Sequence, residues 1–171
     1  MPMSLRLPPL ALAAPLLALL PACSPRVLSA DGWNFRVGDT QGAVRLVSRQ
    51  EFGVCSARLV GCTVPVGHGC LVMLDRDYFL NGTPRQRTLL LAHEVGHCLD
   101  ASVLEYGHGG IGAQGAVYGE YYRPAVEGFA ESYARAYVAR CGDNLAPLGY
   151  GAGPECEVPD PRGVTAEPPV R

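Results

Sequence analysis

Residues 89–100 read LLLAHEVGHCLD, and this stretch restricts the fold more than any other in the chain. Thr83-Pro84 just upstream is a helix start, with threonine as N-cap and proline in the first turn. The spacing predicts a helix running from there to about Ser102. A helix this apolar must be buried, yet its middle carries two histidines and a glutamate. An unpaired polar group away from water costs kilocalories, so the fold has to bring compensation to His93, Glu94 and His97. On a helix, positions 93 and 97 are one turn apart and point the same way, so their imidazoles can grip one metal ion. Glu94 lies beside them, about 100° around the axis.

The remaining pattern places strands before helices. WNFRV at 33–37 and AVRLVS at 43–48 alternate apolar and polar residues around the GDTQG turn, which predicts a hairpin. VCSARLV at 54–60 is a further strand candidate, closed by Gly61. CLVMLD at 70–75 is an apolar run of strand length, bounded by turn residues. Residues 106–119 hold six glycines and read as a loop. Pro124 opens a second helix, VEGFAESYARAYVAR, stopped by Cys141-Gly142. Strands first and helices second give an α+β class.

The first residues are not domain material. A short n-region with one charge precedes LPPLALAAPLLALLP, which has the length of a signal-peptide core and is broken by prolines. It ends in Leu20-Pro21-Ala22-Cys23, which resembles the bacterial lipoprotein box. That resemblance implies a signal peptide over 1–22, an acylated Cys23 and a chain anchored by lipid outside the cytoplasm. If the box is not used, the protein is simply secreted. A tether over 23–32, one domain over 33–156 and a proline-rich disordered tail over 157–171 complete the expected organisation.

Cysteine usage agrees with export. With Cys23 set aside, six cysteines remain, and six permit 15 pairings. Cys55–Cys62 and Cys141–Cys156 would close short loops, and Cys70–Cys98 would then join strand to helix. None belongs to a CxxC pair, which argues against a cysteine-rich zinc site. The formal net charge is −2 and every basic residue is arginine. No stretch is strongly basic, so nucleic acid is not an expected partner. Oligomeric state is not readable from these features.

HEVGH is an HExxH zinc motif, with the glutamate in the position of a general base. A catalytic zinc takes three protein ligands and a water. An eleven-residue metzincin motif would place histidine at 103, where this chain has Val103. The second helix offers Glu127 and Glu131, one turn apart on one face. EGFAE at 127–131 resembles the ExFAE stretch of gluzincin metallopeptidases, in particular the lethal-factor-like group. The resemblance covers residues 84 to about 140. It implies a zincin-like fold: a small, mainly antiparallel N-terminal sheet packed on the HExxH helix, and a second helix carrying the glutamate ligand. It also implies Glu127 as third ligand and Glu131 as the residue orienting a histidine. That group has a tyrosine seven residues before its glutamate ligand. Position 120 here is glutamate, flanked by Tyr118, Tyr121 and Tyr122. HGCLV at 68–72 resembles only faintly the cysteine-ligand segment of peptide deformylases, and lies too close to the helix for that pattern.

The expected activity is zinc-dependent peptide hydrolysis outside the cytoplasm, by zinc-activated water with Glu94 as base; endopeptidase action is favoured. Tyr118, Tyr121 or His108 would steady the transition state, and Asp100, three residues after His97, would hydrogen-bond a ligand histidine. CLVMLD is expected as the edge strand that pairs with an extended peptide or protein substrate. The alternative is a non-catalytic zinc-binding lipoprotein acting as scaffold or capture module; retention of Glu94 favours the enzyme.

Overall fold

A computed structural model describes residues 31–168 other than 54 and 57. The expected signal peptide, Cys23 and most of the tether lie outside the described residues. Four strands form one mixed sheet: β1 (Gly32–Val37), β2 (Thr40–Val47), β3 (Gly61–Val66) and β4 (Gly69–Asp75), in the order β1-β2-β4-β3. The outer pairs, β1 with β2 and β3 with β4, are antiparallel, while β2 and β4 run parallel. Four helices follow: α1 (Arg76–Asn81), α2 (Pro84–Val103), α3 (Gly115–Tyr118) and α4 (Ala125–Cys141). The α+β class stands, with a sheet that is mixed.

The β1–β2 hairpin forms as its alternation requires, with Trp33, Phe35 and Val37 of β1 and Val44 and Leu46 of β2 turned inward. Two strand expectations are corrected. Residues 55, 56 and 58–60 make turns and bends, and the strand begins at Gly61, where it was expected to end. The Cys55–Cys62 disulfide supplies the reason. Its Cα atoms are 6.3 Å apart, whereas seven extended residues would span roughly 23 Å. The second correction concerns CLVMLD. It is not an edge strand, because β4 lies between β2 and β3. Val72, Met73 and Leu74 are all buried, as suits a strand covered on both faces. The open edge beyond it is β3. Pro65, which has no N–H for a ladder, fits β3 for that place.

Helix α2 starts in a capping box. The Thr83 hydroxyl accepts from the Gln86 N–H at 3.2 Å, and the Gln86 side chain accepts from the Thr83 N–H at 2.9 Å. Its Leu91, Val95, Cys98 and Leu99 are fully buried in the core with β4's Val72 and Leu74. Helix α4 crosses α2 with Phe129, Tyr133 and Tyr137 inward. The two helices meet at Gly96. A Cβ there would stand 3.0 Å from the Ala130 Cα and 3.1 Å from its carbonyl oxygen.

All three expected disulfides form: Cys55–Cys62, Cys70–Cys98 and Cys141–Cys156. They suit an oxidising, extracytoplasmic compartment. No helix among the described residues is long and apolar enough to cross a membrane. The boundary expected at residue 156 is corrected as well. Beyond the Cys141–Cys156 bridge the chain stays on the domain: Val158 packs against the core, and Pro161 and Val164 are buried. Asp160 caps the 3-10 turn at Pro161–Gly163 by accepting from the Arg162 N–H. Prolines that preset the backbone reduce the entropy lost in ordering such a segment.

Candidate metal centre

The close approach of α4 to α2 at Gly96 brings the two glutamates of one helix to the two histidines of the other. His93 Nε2 and His97 Nε2 are 3.1 Å apart. Glu127 Oε2 lies 3.2 Å from the first and 3.5 Å from the second. These three atoms form a near-equilateral triangle. Ligand atoms about 2.0–2.1 Å from a tetrahedral ion stand about 3.3 Å from one another, so the triangle has the dimensions of three corners of such a site. His93, His97 and Glu127 are the group among the described residues able to hold a metal ion.

The surroundings of the triangle hold it in shape. On the far side of the His93 ring, Nδ1 lies 3.5 Å from Glu131 Oε2. Glu131's other oxygen accepts from the Arg135 Nε–H at 2.7 Å. Burial opposes the His93 cation, yet the Glu127 and Glu131 carboxylates outweigh it and hold the pKa up at about 9. Glu127 and Glu131 respond in the opposite sense. Burial raises both, but His93, with His97 for Glu127 and Arg135 for Glu131, drives each carboxyl below its ordinary range. A raised pKa favours the imidazolium, whereas a metal ligand must be a neutral imidazole, so protonation of His93 and metal binding compete.

Glu94 lies on α2 but outside the triangle. It is 4% exposed and turns towards the sheet edge, where Thr63 donates its hydroxyl to Glu94 Oε2 at 2.7 Å; the same hydroxyl lies 2.8 Å from the Glu94 carbonyl. Gly61 leaves room for this carboxylate, since a Cβ there would overlap Glu94 Oε1. Burial raises the Glu94 pKa, only partly countered by His93, His97 and Thr63, which makes the carboxylate a stronger proton acceptor.

Clefts open on both sides of Glu94. One, about 370 Å³, runs past His93 between Leu59, Leu89, Tyr78 and Tyr122. The other, about 300 Å³, runs past His97 and Glu127 between Pro65, Tyr106 and Val126. Leu59, Gly61, Glu94 and Tyr121 line both. Of the two tyrosines expected at the site, Tyr121 therefore faces it. Its ring is half exposed, and partial desolvation with the charges of Glu127 and Glu94 pushes the phenol pKa up. Tyr118 is directed to Arg135, whose guanidinium lies 5.5 Å from the ring centre.

Asp100 does not turn to His97. Its Oδ2 sits 2.7 Å from His108 Nδ1 and its Oδ1 accepts from the His108 N–H at 2.8 Å. The chain folds back over the end of α2 and places His108 on this carboxylate, so His108 is tied to Asp100 and does not line either cleft. His68 is exposed in the β3–β4 turn, apart from the centre. Thr63 carries a role for which the sequence offered no spacing signal, whereas Arg135 stands four residues after Glu131, the spacing of a helical ion pair. No family model, curated protein or solved structure matches this chain.

Proposed function

We propose that this protein is an extracytoplasmic zinc-dependent peptidase with a zincin-like arrangement, tethered to a bacterial membrane through lipid on Cys23. The observation that carries the reading is the position of Glu94. This buried, basic carboxylate stands between a triangle of three metal ligands and the open edge of a sheet. A purely structural metal site has no use for a base held free of the ligand set.

The donor set, two imidazoles and a carboxylate at tetrahedral spacing, fits zinc. When bound, zinc supplies Lewis acidity towards a peptide carbonyl and towards water. His93, His97 and Glu127 would hold it, and Glu131 would fix the His93 ring. Glu94 accepts the proton of the attacking water and returns it to the leaving amine. Thr63 and Gly61 fix where that carboxylate stands. Tyr121, neutral at working pH, offers an O–H to charge developing on the carbonyl.

The substrate strand is assigned to β3. Asp75 donates to the Val60 carbonyl at 2.8 Å, so residues 60, 62, 64 and 66 face β4, while Gly61, Thr63 and Pro65 turn outward. An extended peptide can add to Gly61 and Thr63, beside Glu94. Clefts on both sides of Glu94 favour cleavage within a chain.

Activity of the zinc-loaded protein on a mixed peptide pool tests this. His93→Ala, His97→Ala and Glu127→Ala should each lose zinc to a chelator. Glu94→Gln should keep zinc and fold but lose hydrolysis by about 10²–10⁴-fold. Unchanged activity in Glu94→Gln refutes the mechanism, and no hydrolysis by the wild type with zinc bound returns the protein to a scaffold role.

A further inference from the structure

Helix α2 is followed by backbone that residues with a Cβ avoid. Glu105, Tyr106 and His108 have φ of +51°, +62° and +52°, and Gly109 and Gly110 continue at +58° and +75°. Three non-glycine residues in this region within four positions persist only where the surroundings over-determine them. Here Asp100, 1% exposed, does so. Its carboxylate holds both the backbone N–H and the ring of His108, and its carbonyl accepts from the Tyr106 N–H at 3.0 Å. Gly107 closes the turn onto the Leu104 carbonyl.

The product of this strained turn is the placement of one ring. Tyr106 is 58% exposed, and it lines the cleft on the His97 side together with Pro65, Val126 and Tyr121. Leu59 adds to these walls, and among the described residues neither lysine nor arginine lines the cleft, so an apolar side chain finds aromatic and aliphatic cover there.

We propose that Tyr106 is a specificity-determining residue. Its ring forms one wall of a subsite for an apolar side chain of the bound peptide, on the His97 side of the ligand triangle. Asp100 and His108 are positioning residues that hold it there. This rests on the peptidase reading of the cleft.

The test compares cleavage-site profiles, read by mass spectrometry, for the zinc-loaded protein and its variants on one random peptide pool. The wild type should cleave next to apolar residues at one position flanking the scissile bond. Tyr106→Ala should lose that preference by about tenfold or more, as removal of a pocket wall does, and Tyr106→Phe should retain it. Tyr106→Gly relaxes the backbone and should lose the preference just as Tyr106→Ala does, which separates the ring from the strain. Asp100→Ala should lose the same positional preference although its side chain touches His108; all variants should bind one zinc. A profile unchanged in Tyr106→Ala and Tyr106→Gly overturns the subsite while leaving the peptidase intact. A uniform fall at all positions in Asp100→Ala overturns its positioning role. No cleavage by the wild type with zinc bound overturns the peptidase reading, and the subsite with it.

Discussion

Replacing Gly96 by alanine adds one methyl group to the HEVGH segment and touches none of its polar residues. The added Cβ would stand 3.0 Å from the Ala130 Cα, 3.1 Å from the Ala130 carbonyl oxygen and 3.3 Å from the Tyr133 Cβ. Two of the three are backbone atoms of a buried helix, so relief requires α4 to move by a few tenths of an ångström. Overpacking of this kind costs about 1–3 kcal/mol, and alanine's helix propensity returns about 1 kcal/mol. The net expectation is a destabilisation of about 0–2 kcal/mol, measured by urea unfolding with disulfides intact. The larger effect should fall on the metal. Glu127 and Glu131 ride on α4, their contacts with His93 are 3.2 and 3.5 Å, and ligand distances tolerate only about 0.2 Å. Zinc affinity measured against a competing chelator should therefore fall by about 10- to 100-fold, the scale seen when support around a ligand is lost. A Gly96→Ala protein that is about 1 kcal/mol more stable, with unchanged zinc affinity, would show that propensity governs this position. The reasoning about helix approach would then be wrong.

Other perturbations separate the parts of the centre. Glu131→Ala should weaken zinc binding by about 10- to 100-fold without abolishing it; if Glu131→Ala abolishes binding and Glu127→Ala does not, their roles are exchanged. Zinc binding at pH 7 should release about one proton from His93, visible by calorimetry in buffers of different ionisation enthalpy, and zero release refutes that competition. Because the His93 pKa is raised from 6.5 to about 9, its ion pairs stabilise the metal-free fold fully below pH 6.5, and unfolding measurements should show that contribution fading as pH rises through 9. Replacing Cys70 and Cys98 together by alanine opens a bridge of sequence separation 28, which should cost about 3–4 kcal/mol in urea unfolding; a loss below about 1 kcal/mol refutes the staple.

What could be read from the sequence was whatever depends on neighbours along the chain. Thr83-Pro84 announces α2 because a cap and a first-turn proline act at adjacent positions. His93 and His97 share a face because an α-helix puts i and i+4 together. The bridges at 55–62 and 141–156 follow from short loops, which left 70–98 as the remaining pair. Glu127 came from a resemblance, and the ligand triangle supplies its geometric support. Thr63 and Asp100 were hidden because their partners are fixed by packing between elements. Thr63 reaches Glu94 across 31 positions, and nothing in GCTVPV announces it. Asp100 was expected on His97 by helical spacing, but the strained turn after α2 offered it His108 at closer range.

Pro65 shows that part of the missed topology was readable. CLVMLD attracts attention as a strand because it is apolar throughout, but that same property requires cover on both sides and so argues for a central place. GCTVPV is only partly buried and is interrupted by proline, which argues for the edge. The edge is where an added strand can pair, so the weaker strand signal marks the one to which the proposed reading assigns the substrate. The same holds for the two unnamed positions of HEVGH. Val95 is wholly buried on the core side, and Gly96 lies where α4 crosses. Glycine at 96 lets Glu127 and Glu131 approach, and glycine at 61 admits the Glu94 carboxylate to the sheet edge. The absence of a Cβ at these two places sets the distances on which the proposed chemistry depends.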